Sequence, residues 1–160
     1  MRQLHAYYLF HKSPLPGHLR ESINSAVEEL KGVRDSEEYL RKAYDIVTTR
    51  YIGGRVKTFS RLTDLLSSSV EDLWNRSGFM HCTNQNYLLS LLLVRGGHFE
   101  QSDISPKWTV QWLFMPHQYL KIRLKDGQYI NVDCWARHYG IPFGKFATGF
   151  NSTKRRSFAE

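Results

Sequence analysis

Residues 116–133 read PHQYLKIRLKDGQYINVD and contain two strand-like segments separated by the turn residues 125–127. Side chains alternate between the two faces of a strand, so a shift of one residue in the pairing exchanges those faces. A two-residue turn would place apolar Ile122 opposite polar Asn131, whereas a three-residue loop places it opposite Ile130. The second register makes one face uniformly apolar, and we therefore predict a hairpin with a three-residue loop.

This register also predicts which polar side chains meet on the other face of the hairpin. The loop needs Gly127 in the left-handed conformation, which glycine adopts without steric cost. Tyr119 then lies opposite Asp133, and His117 lies two residues away on the same face. Diagonal neighbours across such a pair are about 7–8 Å apart at the backbone, within reach of an imidazole and a carboxylate. We predict that His117 and Asp133 form a hydrogen bond.

Cys82 is the candidate nucleophile. It precedes a leucine-rich segment, residues 87–94, that stops at the glycine pair 96–97, and this pattern predicts a helix that begins at Cys82. A thiol reacts as its thiolate, which a helix N-terminus and a nearby imidazolium both stabilise. His117 would act as the base for Cys82, and Asp133 would orient the imidazole.

The same segments carry a resemblance to a known family. Residues 76–82, RSGFMHC, resemble the nucleophile segment of the transglutaminase-like group, and residues 116–133 resemble its strand, turn and strand with His and Asp. The resemblance covers roughly residues 40–140. It implies a papain-like fold and acyl chemistry on an amide or peptide bond through a thioester, with water or an amine as acceptor. A peptide or protein substrate is expected, and neither a metal nor an organic cofactor is required.

The residues that follow His117 and Asp133 match that family less closely. Tyr119 fits the aromatic residue that often comes after the family's histidine. Cys134 and Trp135 match only loosely the aromatic residue or threonine that often comes after its aspartate, and Cys134 is expected to lie in the core. The donors that would stabilise an oxyanion are open, and the candidates are the backbone N–H of Cys82 and the side chains of Trp74, Trp108 and Gln111.

The rest of the chain predicts an α+β domain in which N-terminal helices pack on an antiparallel sheet. Apolar residues recur at helical spacing over 19–30, over 36–47 with Ser36 as the cap, and over 62–73 with a break near 67–69. Strands are predicted at 108–115, 118–124 and 128–134. We expect a single domain over 1–150 and a polar, basic tail over 151–160.

Composition limits the class of protein. The 160 residues carry a net charge of +7 and only two cysteines, too few for a disulfide framework, which favours a reducing cytoplasm. No apolar run approaches the roughly 20 residues of a membrane span, and the N-terminus lacks the apolar centre of a secretory signal. Nucleic-acid binding is not expected as the main function, because the only contiguous basic run, 154–156, lies in the tail.

Three other interpretations stay open. An arylamine N-acetyltransferase-like enzyme uses the same order of triad residues, and Asn86 and Val132 resemble it. A relative that has lost catalysis would be a non-catalytic binding module. A zinc site would use His81, Cys82, Cys134 and His138, but adjacent residues cannot easily direct two side chains at one tetrahedral ion.

Overall fold

The computed structural model describes residues 4–9 and 12–152 and has the predicted mixture of helices and antiparallel strands. The helices are α1 (Glu21–Glu29), α2 (Ser36–Arg50), α3 (Arg55–Ser60), α4 (Val70–Trp74) and α5 (Cys82–Arg95). The strands are β1 (His5–Ala6), β2 (Tyr51–Ile52), β3 (Leu66–Ser67), β4 (Gly78–Phe79), β5 (Ile104–Gln111), β6 (Met115–Arg123) and β7 (Tyr129–Val132). Short 3-10 turns occupy Leu62–Leu65, Gln101–Asp103 and Trp135–Tyr139.

The main sheet is antiparallel, with the strand order β5-β6-β7. Helix α5 packs between this sheet and α2, and eleven of its residues are buried. A helix with such a position needs apolar residues on all sides, which explains its run of leucines. Two pairs of short strands complete the described part, β1 with β3 and β2 with β4, the second pair being parallel.

The predicted hairpin register is confirmed. Ile122 pairs with Ile130, and Leu120 pairs with Val132, so the apolar residues share one face. Gly127 has a φ of 83°, and its N–H donates to the carbonyl of Leu124, which closes the three-residue loop. The pattern of apolar residues was sufficient here because the alternative register would have buried polar side chains.

The cap of α2 and the position of the first strand of the sheet both differ from the prediction. The cap of α2 is Asp35 and not Ser36, because the Asp35 carboxylate accepts a hydrogen bond from the N–H of Glu38 at 2.8 Å. The first strand of the sheet runs over 104–111 and not 108–115. It ends early because Trp112 and Leu113 adopt left-handed backbone angles, with φ of 51° and 67°.

The last described residue is packed against the rest of the structure. Ser152 is fully buried and donates a hydrogen bond to Oε1 of Gln111 at 2.8 Å. The rest of the predicted tail, residues 153–160 with the basic run 154–156, lies outside the described residues. Across the described ranges, no helix is both long and apolar enough to span a membrane.

Candidate active site

Cys82 is the first residue of α5, as predicted. Strand β4 leads to it, and the N–H of Met80 donates to the carbonyl of Ile52 at 3.1 Å, which ties this approach to β2. His81 occupies the cap position without a side-chain cap bond, so the first N–H groups of α5 lack a side-chain partner there. Cys82 is partly exposed and is not paired in a disulfide.

His117 and Asp133 form the predicted hydrogen bond. Nε2 of His117 lies 2.7 Å from Oδ2 of Asp133, and both residues are at most 2% exposed. The ring of Trp135 packs against the imidazole, with 5.0 Å between ring centroids. Burial makes this hydrogen bond a fixed feature of the fold, since water does not compete for either partner.

The Asp133 carboxylate is held by backbone groups as well. Its Oδ1 accepts from the N–H of Ala136 at 3.0 Å, and its Oδ2 accepts from the N–H of Ala147 at 2.9 Å. Together with His117, three donors satisfy a buried carboxylate that would otherwise be costly. The segment after β7 therefore fixes the position of Asp133, and through it the orientation of the imidazole.

The side chain of Cys82 also interacts with the imidazole, and this interaction contributes to a raised pKa of His117. Because Nε2 is engaged by Asp133, Nδ1 is the ring nitrogen left for the sulfur. Burial of the ring lowers the pKa of His117, but the Asp133 carboxylate and Cys82 together raise it more, so that the pKa rises to about 10. The raised pKa favours the protonated form of the ring, and an imidazolium is the form that stabilises a neighbouring thiolate.

This raised pKa predicts how stability depends on pH. The folded chain binds the His117 proton more tightly than the unfolded chain, so the stabilisation is complete below pH 6.5 and is lost as the pH rises toward about 10. Urea denaturation of the wild type and of His117→Gln checks this. The difference between their free energies of unfolding should narrow between these pH values. A difference that stays constant over that range would contradict the raised pKa.

The predicted oxyanion donors lie in different environments. Trp74 is buried, and the side chain of Trp108 is half exposed on β5. Gln111 is fully buried, and its Nε2 has no hydrogen-bond partner among the described residues. Since Thr109 lies opposite His117, the side chain of Gln111, two residues on, projects from the same face of the sheet. Of the three side chains, only Gln111 combines burial with an unpaired donor, and its role stays a prediction.

A polar contact that the sequence did not reveal joins the helix of Cys82 to the strand of His117. Nδ2 of Asn86 donates to the backbone carbonyl of Gln118 at 3.1 Å and lies 3.2 Å from its Oε1. Nε2 of Gln118 in turn donates to the carbonyl of Tyr8 at 2.8 Å. Asn86 thus links α5 to β6, which accounts for its burial.

Two of the four residues of the alternative zinc site, His81 and Cys134, have contacts of another kind. Nε2 of His81 lies 2.9 Å from the carbonyl oxygen of Arg61. Cys134 lies in the core as predicted, and burial together with Asp133 raises the pKa of its thiol well above the usual value. Within residues 4–9 and 12–152, no group of three or more His, Cys, Asp or Glu side chains is arranged to hold a metal ion.

The structure places a sulfur, an imidazole and a carboxylate next to one another. Cys82, His117 and Asp133 are brought together from α5, β6 and the end of β7. The chain matches no protein-family model, no curated protein and no solved structure at a significant level. The geometry of these three side chains is therefore the basis on which a function can be assigned.

Proposed function

We propose that the chain is a cysteine-dependent enzyme of acyl bonds, with Cys82 as nucleophile, His117 as proton carrier and Asp133 as the orienting acid. The observation that carries the proposal is the buried hydrogen bond between His117 and Asp133, together with a partly exposed Cys82 that interacts with the same imidazole. A structural cysteine would need neither a buried histidine nor a carboxylate. A catalytic cysteine needs a histidine that carries its proton, and that histidine needs a carboxylate that orients it.

The reaction follows from the proton positions. The thiolate of Cys82 attacks the carbonyl carbon of an amide or ester, and the imidazolium of His117 gives its proton to the leaving amine or alcohol. The bond to the leaving group breaks, and a thioester remains on Sγ. Water or an amine then attacks the thioester and passes a proton to His117, the bond between the acyl carbon and Sγ breaks, and the thiolate and imidazolium are regenerated. Hydrolysis and acyl transfer share every step except the identity of this acceptor.

The proposal includes the finer fold and the class of substrate. A transglutaminase-like, papain-like core is supported by the order of the elements, with the helix of the nucleophile packed on an antiparallel sheet that carries His and Asp. We infer a peptide or protein substrate from the resemblance of residues 76–82 and 116–133 to that family. A reducing, cytoplasmic setting suits this chemistry, because both Cys82 and Cys134 are unpaired and a thiol nucleophile must stay reduced.

Alkylation of the native protein by iodoacetamide tests the proposal against a non-catalytic binding module. We expect Cys82 to react at pH 6 at least about tenfold faster than free cysteine, whose thiol is mostly protonated there. Mass spectrometry of peptides measures both cysteines, and buried Cys134 is the internal control that should stay unlabelled. If Cys82 reacts no faster than free cysteine and its rate is the same in His117→Ala, the chain is a binding module.

A further inference from the structure

A cavity of about 310 Å³ lies close to the candidate active site. Its lining includes Gly53 and Tyr139, and both lie against Trp135. A Cβ at Gly53 would approach the Trp135 ring to 2.6 Å, and the rings of Tyr139 and Trp135 are 5.0 Å apart. Because Trp135 also packs on His117, a single side chain separates the cavity from the candidate base.

The cavity and Cys82 lie at the same end of the parallel strands β2 and β4. Strand β2 continues into Gly53 and Gly54, which line the cavity, and β4 continues through Met80 to Cys82. Parallel strands end side by side, so the two chain segments leave in the same direction. An acyl substrate held at Cys82 can therefore extend toward the cavity.

The lining of the cavity includes basic residues. Arg55, Lys57 and His138 contribute to the lining, and none of its residues is an aspartate or glutamate. The guanidinium carbon of Arg55 lies 4.0 Å from the ring centroid of Tyr139 and 4.8 Å from that of Trp112. Its Nη2 donates to Oγ of Ser152 at 3.2 Å, and its backbone N–H donates to the Tyr139 hydroxyl at 2.9 Å. These contacts hold the guanidinium in one orientation.

Unlike Arg61 and Arg123, Arg55 forms no ion pair with a carboxylate within the described residues. Arg61 pairs with Asp64 and Arg123 pairs with Asp103, both at 2.6 Å. Arg55 has no such partner in the described part of the chain, and its buried Nε has no acceptor there. A partly exposed guanidinium that is oriented by two aromatic rings and not neutralised is well suited to bind a carboxylate, because its planar donors match that group.

We propose that this cavity binds an anionic group of the acyl substrate, a carboxylate placed a few bonds from the reacting carbonyl, and that Arg55 recognises it. The inference rests on the proposed function of Cys82 and adds the class of substrate. Either an acidic side chain of a peptide substrate or a free dicarboxylic acid monoester would supply such a carboxylate.

Two esters of equal chain length test this substrate class, namely 4-nitrophenyl hydrogen glutarate, which is anionic, and 4-nitrophenyl valerate, which is neutral. In each case Sγ of Cys82 would take the acyl group and 4-nitrophenolate would leave, which is monitored by its absorbance. We divide kcat/KM for the glutarate ester by kcat/KM for the valerate ester. We expect this ratio to fall at least about tenfold in Arg55→Gln. The ratio should be partly restored in Arg55→Lys and unchanged in Arg34→Gln, a matched control at an exposed loop position.

Because the ratio is taken within one variant, partial unfolding lowers both rates and does not imitate the expected result. A ratio that is the same in the wild type and in Arg55→Gln would overturn the inference. An equal loss of the preference for the glutarate ester in Arg34→Gln and in Arg55→Gln would also overturn the inference, because the effect would then reflect net charge alone.

Binding without turnover separates this inference from the proposed function. Glutarate is titrated into isotope-labelled wild type and Arg55→Gln, and amide shifts of Gly53 and Gly54 are measured by NMR. Saturable shifts in the wild type alone support the anion site, even if neither ester acylates Cys82 and the proposed function fails. The absence of shifts at these glycines in the wild type would overturn the anion site, whatever the ester kinetics show.

Discussion

Replacing His117 with alanine is expected to lower the rate of Cys82 acylation by 4-nitrophenyl valerate by about 10²- to 10⁴-fold, the usual range for general acid–base catalysis. The imidazole holds the proton beside the sulfur, and without it the thiol has no base and the thiolate has no cationic partner. Stopped-flow absorbance of released 4-nitrophenolate measures this rate in the first turnover.

His98→Ala is the matched control for this loss. His98 lies beyond the other end of α5 and stacks on Tyr39, so its removal should leave the acylation rate close to that of the wild type. Equal losses in both variants would mean that histidine substitutions act through stability. A full rate in His117→Ala would remove His117 from the mechanism.

Asp133→Ala is expected to lower the free energy of unfolding by about 3–5 kcal/mol, as when one partner of a buried charge pair is removed. The substitution leaves the imidazole of His117 and the backbone N–H groups of Ala136 and Ala147 without their acceptor. Urea denaturation at pH 7 measures the loss, and Asp133→Asn should lose less because its amide keeps one acceptor oxygen.

Asp126→Ala serves as the control for that loss. The Asp126 carboxylate accepts one bond from the N–H of Gln128 in an exposed turn, so its removal should cost about 1 kcal/mol or less. If Asp133→Ala is no more destabilising than Asp126→Ala, the carboxylate does not organise the site as the hydrogen bonds indicate.

The hairpin and the start of α5 could be predicted because short-range rules determine them. Only one register of the hairpin makes a uniform apolar face, and that register alone places His117 near Asp133. A leucine-rich run between a strand-like approach and a glycine pair likewise defines a helix that begins at Cys82. In both cases the information lies within about twenty residues of sequence.

The remaining parts of the site depend on contacts between distant segments that carry no periodic pattern. The N–H of Ala147 reaches Asp133 from an irregular segment, which hydrophobic periodicity does not describe. The turn at Trp112 and Leu113 contains none of the residues that usually adopt left-handed angles, so the end of β5 was placed too late. Arg55 is oriented only after three parts of the chain converge, and no local signal marks it.

Capture of the acyl-enzyme is the most direct test of the role of Cys82. The protein is mixed with excess 4-nitrophenyl valerate, quenched in acid, and analysed by intact mass and peptide mapping. We predict one valeryl group per chain, on Cys82, and none in Cys82→Ala. A chain that gains no acyl group, or gains it on a lysine or on Cys134 with Cys82 unmodified, would contradict the assignment of Cys82 as the nucleophile.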